Sequence, residues 1–269
     1  MKTLLLITSI ALGSQITYAQ QSRWDVYNKS TDAGMQLIRV NNSLYDVEPT
    51  ALTPFLVKVT HNYTGGGNSK LPTKTEMANL IRIQDDTKKL IGTKTACNLV
   101  GASSHRNACD IYFYVADTTA LRDLIQKQYK KKNYNKYALN IKEDRKWDGY
   151  FSVLYPNDEE RQMIYYKRIV AKLLKSGDVL KKPHKVTYWA YFKSEEDMLT
   201  YKQTLAGQAD KKYTFESLHK NPYARYQINF YQLIPITPEA ILGSVKDIKG
   251  QLVQNAGSYG GWQTIVAAR

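Results

Sequence analysis

Apolar residues at helical spacing mark five segments of the chain. In the last of them, Ile241, Val245, Ile248 and Leu252 recur at i, i+4, i+7 and i+11, which places them on one face of an α-helix. Each segment follows a residue whose side chain caps helix N-termini. The predicted helices start at Thr73, Asp117, Asn157, Ser194 and Thr237.

Between the helices, apolar and polar residues alternate with a period of two, which predicts half-buried β-strands. The predicted strands cover residues 55–61, 94–100, 107–115, 137–141, 185–192, 212–219, 225–233 and 259–266. Two shorter strands are predicted at residues 24–28 and 36–40.

The order of these elements repeats. From Phe55 it runs strand, helix, strand, strand, helix, strand, and from Lys185 it does so again. This is the order of the ferredoxin-like motif, so the sequence predicts an α+β protein with two ferredoxin-like (βαββαβ) halves and antiparallel sheets. We place the first domain at residues 20–156 and the second at residues 157–269.

The N-terminus has the three parts of a secretory signal peptide. Lys2 supplies the positive charge, residues 4–12 form an apolar stretch too short to span a bilayer, and Ala19 is a small residue suited to cleavage. We expect residues 1–19 to be removed and the protein to be exported, periplasmic or secreted. No later segment is long and apolar enough to form a transmembrane helix.

The chain is strongly basic, with a net charge of +14. Removing residues 1–19 takes away Lys2 alone and leaves +13. Such a surplus favours contact with an anionic envelope or extracellular polymer. A soluble surface rich in lysine accounts for it equally well, because net charge also governs solubility.

The two cysteines, Cys97 and Cys109, flank a predicted hairpin turn centred on Ser103. In that register they stand directly opposite one another. An exported protein permits a disulfide, so Cys97–Cys109 is the candidate. The alternative is a pair of buried free thiols on a core face.

The sequence carries no recognised catalytic or metal-binding motif. Its four histidines, His61, His105, His184 and His219, lack metal-ligand spacing, and no Gly-x-Ser-x-Gly elbow occurs. Residues 65–67 are three glycines without the Gly-Lys-Ser/Thr that completes a phosphate loop, so they indicate a linker. We therefore expect no cofactor, no metal and no enzymatic activity.

Residues 127–137 interleave lysines with Tyr129, Tyr134 and Tyr137. Such a pattern can bind phosphates while the rings stack on bases. A cationic helix end that runs into a strand explains it equally simply, since lysines there complement the helix dipole. We favour the helix end and expect no specific nucleic-acid partner.

The first half resembles an uncharacterised bacterial family known as domain of unknown function 695, over residues 24–156. The similarity is carried by Leu71-Pro72 followed by Glu76, by residues 110–114, and by residues 147–150 before residues 154–156. The residues that carry this resemblance are structural positions.

The second half is similar to the family of the regulator of ribonuclease E activity B. The similarity is carried by residues 173–178, residues 186–192 and the closing residues 258–264, in which Gly260 stands where an acidic residue is common. Members of that family are small ferredoxin-like proteins that inhibit an endoribonuclease by binding it. The resemblance implies a protein-binding module without catalytic residues, and export would place it away from cytoplasmic RNA decay.

The sequence thus predicts a non-catalytic binding or regulatory protein that recognises a protein partner of unknown identity. Trp189 and Trp262 are the candidate anchors, because aromatic rings bury large areas at low entropic cost. Two alternatives stay open: adhesion to an anionic polymer, and a hydrolase of unrecognised type.

Overall fold

A computed structural model describes residues 24–32, 34–44, 51–65, 70–134, 136–220 and 225–266. The expected signal segment, residues 1–19, lies outside the described residues. The chain divides into two compact units, the first ending at Tyr155 and the second beginning at Pro156, with Tyr27–Lys29 grouped with the second. None of the described helices is long and apolar enough to cross a membrane.

The first unit is built around a six-stranded sheet. Its elements are β1 (Trp24–Thr31), β2 (Gly34–Asn41), β3 (Phe55–Asn62), α1 (Lys74–Gly92), β4 (Cys97–His105), β5 (Ala108–Val115), α2 (Leu121–Lys131) and β6 (Tyr137–Glu143), with a short 3₁₀ helix at Asn42–Leu44 and a π-helix at Gly149–Leu154. The strands lie in the order β1-β2-β4-β5-β3-β6. From β2 to β6, each strand runs antiparallel to its neighbours.

The core of the first unit lies between this sheet and α1 and α2. Inward-facing residues of β3 and β5, such as Val57, Val59, Ile111 and Phe113, pack against buried apolar residues of the two helices. The π-helix contacts β4 and β2. Burial of alternate strand positions is therefore the main stabilising term of this layer.

The second unit has a four-stranded antiparallel sheet. Its elements are α3 (Asp158–Lys175), β7 (His184–Phe192), α4 (Glu195–Ala206), β8 (Thr214–Lys220), β9 (Tyr226–Ile234), α5 (Pro238–Gln254) and β10 (Ser258–Gln263). The strands lie in the order β10-β7-β9-β8. The core joins Val186, Tyr188, Ala190 and Phe192 of β7 to the helices, and α3 contacts α5. Both units confirm the predicted α+β class with antiparallel sheets.

Four of the five predicted helix starts are N-caps in the structure. Thr73 and Asn157 each form a reciprocal capping box, and the side chains of Ser194 and Thr237 each accept a backbone N–H. The start predicted at Asp117 is wrong. Its carboxylate accepts from Thr119 two residues later in a local turn, so α2 begins only at Leu121.

The β4–β5 hairpin turns at Arg106 and Asn107, where both residues have positive φ (46° and 66°). A two-residue turn of this kind matches the right-handed strand twist, and asparagine tolerates the left-handed region. The turn predicted at Ser103 is therefore wrong by about three residues. Ser103 and Ser104 are instead buried strand residues.

This register separates the two cysteines. Cys109 lies opposite Ser104, whereas Cys97 lies opposite Val115 at the other end of β4, roughly 20 Å away along the strand. A disulfide requires Cα atoms within about 7 Å. The predicted Cys97–Cys109 disulfide is thus wrong, and both residues are free cysteines, of which Cys109 is buried and Cys97 is partly buried.

Candidate binding surface

The two candidate anchors lie on opposite faces of the second unit's sheet. Trp262 pairs with Tyr188, whose side chain points into the helix-covered core, whereas Trp189 pairs with Asn229 on the other face. A bulge in β10 between Tyr259 and Gly261 shifts the register beside them. The structure therefore does not bring Trp189 and Trp262 together.

Trp262 lies in a groove between α3 and the chain that leaves β10. The groove has a volume of about 430 Å³ and is lined by Tyr165, Ile169, Lys172, Leu173, Ser176 and residues 262–266. We call it the Trp262 groove. The Trp262 ring meets that of Tyr166 edge-on, with centroids 5.9 Å apart, and packs at the border of the core. This contact holds the indole in one orientation.

Two apolar side chains of the groove are largely exposed. Tyr165 is 57% exposed and Ile265 is 76% exposed. The last turn of α3 carries Lys172 and Lys175, so the groove has a cationic end. An apolar cleft with a partly buried tryptophan and a charged rim has the composition of a recognition site for a protein segment.

A buried hydrogen-bonded pair, Asp178 and His184, fixes the connection between α3 and β7. His184 Nε2 lies 2.7 Å from Asp178 Oδ2, and His184 Nδ1 lies 3.0 Å from the carbonyl oxygen of Lys182. Each ring nitrogen of His184 is therefore held by a contact to an oxygen atom. Asp178 also accepts from the N–H of Leu180, and its own N–H donates to the carbonyl of Leu173.

Thr64 and Gly65 of the first unit adjoin the carboxylate of Glu76 at the start of α1. Glu76 Oε1 accepts from the N–H groups of Thr64 and Gly65, while Oε2 accepts from the N–H and hydroxyl of Thr73. The bond from the Thr73 N–H is the largest of several that lower the pKa of Glu76. The N–H groups of Thr64 and Gly65 are therefore already satisfied by Glu76, which supports a structural role for these two residues.

A second carboxylate organises the residues that carry the resemblance of the first half. Asp144, which is buried, accepts from the Tyr114 hydroxyl at 2.6 Å and from the N–H groups of Asp148 and Gly149 at 2.9 Å. The ring of Trp147 stacks on Tyr114 at 4.4 Å, and its N–H donates to the carbonyl of Thr53. These contacts close the loop that follows β6.

The lysine- and tyrosine-rich residues 127–137 are used inside the first unit. Tyr129 is buried, and Tyr134 and Tyr137 pack against the core beside His61. Lys132 pairs with Asp86 at 2.5 Å. The three rings are therefore not arranged as a stacking platform for bases, which favours the interpretation as a helix end.

Reactive groups are not assembled in the part of the chain that the structure describes. Burial raises the pKa of both Cys97 and Cys109 to about 12, so neither thiol supplies a thiolate at neutral pH. No three His, Cys, Asp or Glu side chains among the described residues converge as metal ligands.

Sequence reasoning missed the exposed groove residues and the Asp178–His184 pair. Tyr165 and Ile265 occupy positions that a periodic pattern assigns equally to core or surface. The pair joins a loop to a strand start six residues away, and only the fold shows that both side chains are buried together. The sole signal in the sequence is a lone acid and a lone histidine near a helix end.

Comparison with known protein families assigns each half separately. Residues 22–155 match the model of a family described as a family of unknown function (DUF695), and residues 164–264 match that of Regulator of ribonuclease activity B. No curated protein matches the chain. Both resemblances expected from the sequence are thus confirmed: the N-terminal half matches the DUF695 model and the C-terminal half matches the Regulator of ribonuclease activity B model.

Proposed function

We propose that this chain is a non-catalytic binding or regulatory protein that recognises a protein partner through the Trp262 groove. The observation that carries the proposal is the groove itself, in which a partly buried tryptophan lies beside the exposed apolar side chains of Tyr165 and Ile265. The family matched by this half is described as a regulator, which supports the same function.

The groove suits a partner that inserts an apolar side chain and carries acidic residues beside it. Large aromatic residues at the centre of an interface supply most of its binding energy, and surrounding contacts exclude water. Lys172 lines the groove and Lys175 lies in the same helical turn, so acidic residues of the partner would be steered toward this end.

Two further proposals concern architecture and location. The strand orders β6-β3-β5-β4 and β10-β7-β9-β8, with helices between the strands, support the assignment of a ferredoxin-like domain to each half, within residues 20–156 and 157–269. The charge and apolar pattern of residues 1–19 supports export, so the partner would be a protein of the envelope or the medium.

The test is a comparative pull-down. Residues 20–269 are immobilised and incubated with an envelope extract of the producing cells, in wild-type form and with Tyr165→Ala and Ile265→Ala combined. The control is Val253→Ala, because Val253 is an 81% exposed apolar residue of the same unit that does not line the groove.

We expect one protein to be retained stoichiometrically by the wild type and by the Val253→Ala control. The double variant should retain at least about tenfold less of this protein, since both changes remove contact area beside Trp262. Equal retention by the double variant and the control would overturn the assignment of the Trp262 groove.

A further inference from the structure

The face of the second unit's sheet that is turned away from the helices carries an ordered set of aromatic and amide side chains. Trp189 of β7 pairs across the sheet with Asn229 of β9, which pairs with Ser217 of β8. The rows above and below pair Tyr191 with Gln227, and Thr187 with Tyr231. These seven residues, all partly exposed, are called the outer array.

Trp189 lies flat against the backbone of β10. A Cβ built on Gly260 would stand 2.1 Å from Trp189 Cδ1, and one built on Gly261 would stand 2.7 Å from Cζ2. The two glycines therefore leave the space that the indole occupies. A ring that covers the strand on one side presents its other side outward, as a flat apolar platform in the middle of the array.

A chain of amide hydrogen bonds runs beside this platform. Gln227 Nε2 donates to Asn229 Oδ1 at 2.8 Å, and Asn229 Nδ2 donates to Ser217 Oγ at 2.9 Å. Each primary amide carries two donor hydrogens and an acceptor oxygen, so these bonds leave further donors and acceptors available at fixed positions. The array thus combines one apolar plane with oriented neutral polar groups.

The array itself contains no charged residue. At its border Lys185 lies 4.5 Å from the Tyr231 ring and pairs with Glu216, and Arg225 lies 6.0 Å from the Tyr191 ring. Single-stranded nucleic acid requires a positively charged path for its phosphates as well as stacking rings. Charge complementarity therefore favours a neutral ligand over a nucleic acid.

We propose that the outer array is a binding site for a neutral oligosaccharide chain. A pyranose ring has an apolar face of C–H groups that packs on an indole, and equatorial hydroxyls that exchange hydrogen bonds with amides. Asn229, Gln227 and Ser217 supply such partners beside Trp189. This site is independent of the Trp262 groove, because the two lie on opposite faces of the sheet.

The experiment is an NMR titration of the indole N–H signals of residues 20–269 with unbranched neutral hexasaccharides. Cellohexaose, laminarihexaose and maltohexaose are the probes, each taken to about 10 mM to detect weak binding. The Trp189→Phe variant assigns the Trp189 signal. Asn229→Ala and Trp189→Ala test the site, and the affinity of Trp189→Ala is measured by isothermal titration calorimetry beside the wild type because this variant lacks the reporting indole. Val253→Ala is the control, and a twelve-residue oligouridine is the competing ligand class.

We expect at least one hexasaccharide to shift the Trp189 signal, with affinity reduced about tenfold by Asn229→Ala and by Trp189→Ala and unchanged by Val253→Ala. Asn229→Ala keeps the test decisive if Trp189→Ala does not fold. No shift with any of the three sugars, or a shift that Asn229→Ala leaves intact, would overturn the proposal. Binding of oligouridine without any sugar would replace it with a nucleic-acid site.

Discussion

The burial of His61 makes the stability of the first unit depend on pH. His61 is 5% exposed, and its ring lies among those of Tyr129, Tyr134 and Tyr137 at centroid distances of 5.2 to 6.2 Å. Its Nε2 has no hydrogen-bond partner among the described residues. Desolvation by this burial lowers the pKa of His61 to about 4.

The direction and the size of the change in stability follow from the difference between the pKa of His61 in the folded and in the unfolded chain. The unfolded chain binds a proton near pH 6.5, whereas the folded state binds it only near pH 4, so stability is lost as the pH falls between these values. The full loss is about 3 kcal/mol, and about 2 kcal/mol of it occurs between pH 7.5 and pH 5.

The assay compares the wild type with His61→Phe, which keeps an aromatic ring and removes the titrating nitrogen. Urea unfolding of both proteins at pH 7.5 and pH 5 gives two stability differences. Subtracting them isolates His61, since all other ionisable groups are shared. NMR titration of the histidine C2 proton, assigned with the same variant, reads the pKa directly.

We expect the wild type to lose about 2 kcal/mol more than His61→Phe on acidification to pH 5. Equal losses in the two proteins would refute the reasoning. So would a His61 proton that titrates near pH 6.5, because it would show that the ring is solvated.

Three substitutions test other contacts by urea unfolding. His184→Ala removes one buried hydrogen-bond partner of the Asp178 carboxylate and should cost about 1–3 kcal/mol. Gly260→Ala sets a Cβ 2.1 Å from Trp189, which should cost about 1–3 kcal/mol, and Trp189→Ala in the same chain should relieve part of that cost. Tyr114→Phe removes a donor from a buried carboxylate and should cost about 1–3 kcal/mol.

A different result would contradict each of these three predictions. A loss below about 1 kcal/mol for His184→Ala would contradict the buried hydrogen bond to Asp178. For Gly260, strictly additive effects of the two changes would show that the side chains do not clash. For Tyr114, a loss below about 0.5 kcal/mol would contradict the hydrogen bond.

The fold class could be predicted from sequence because each element carries its own local signal. Thr73 and Glu76 form the capping box that their spacing predicts, and the apolar face of α5 is buried as its periodicity indicates. The β7 residues Val186 and Tyr188 alternate as expected and are buried. Such signals need only the residue types within one or two turns of chain.

The misplaced features depend on register, which local patterns leave undetermined. The β4–β5 turn was predicted at Ser103 because small residues are common in turns, but Asn107 tolerates positive φ and the turn forms there. A shift in register moves every later residue to a new partner, which is why the cysteine pairing failed.

The two tryptophans could be predicted as candidate anchors, but their positions on the sheet could not, because these too depend on strand register. Trp189 and Trp262 are both partly exposed, but the β10 bulge and their pairing partners place them on opposite faces of the sheet. Tyr165 and Tyr166 are adjacent in α3 and therefore point about 100° apart, with Tyr166 buried and Tyr165 exposed. Only the packing of α3 decides which of the two rings contributes to the groove.

The central claim, recognition of a protein partner at the Trp262 groove, is tested most directly by site-specific photocrosslinking. A benzophenone amino acid replaces Tyr165 in one protein and Val253 in the other, and each is irradiated with envelope extract. The account predicts that one protein is crosslinked at position 165 and not at position 253. The absence of an adduct at position 165, or the same adducts at both positions, would contradict it.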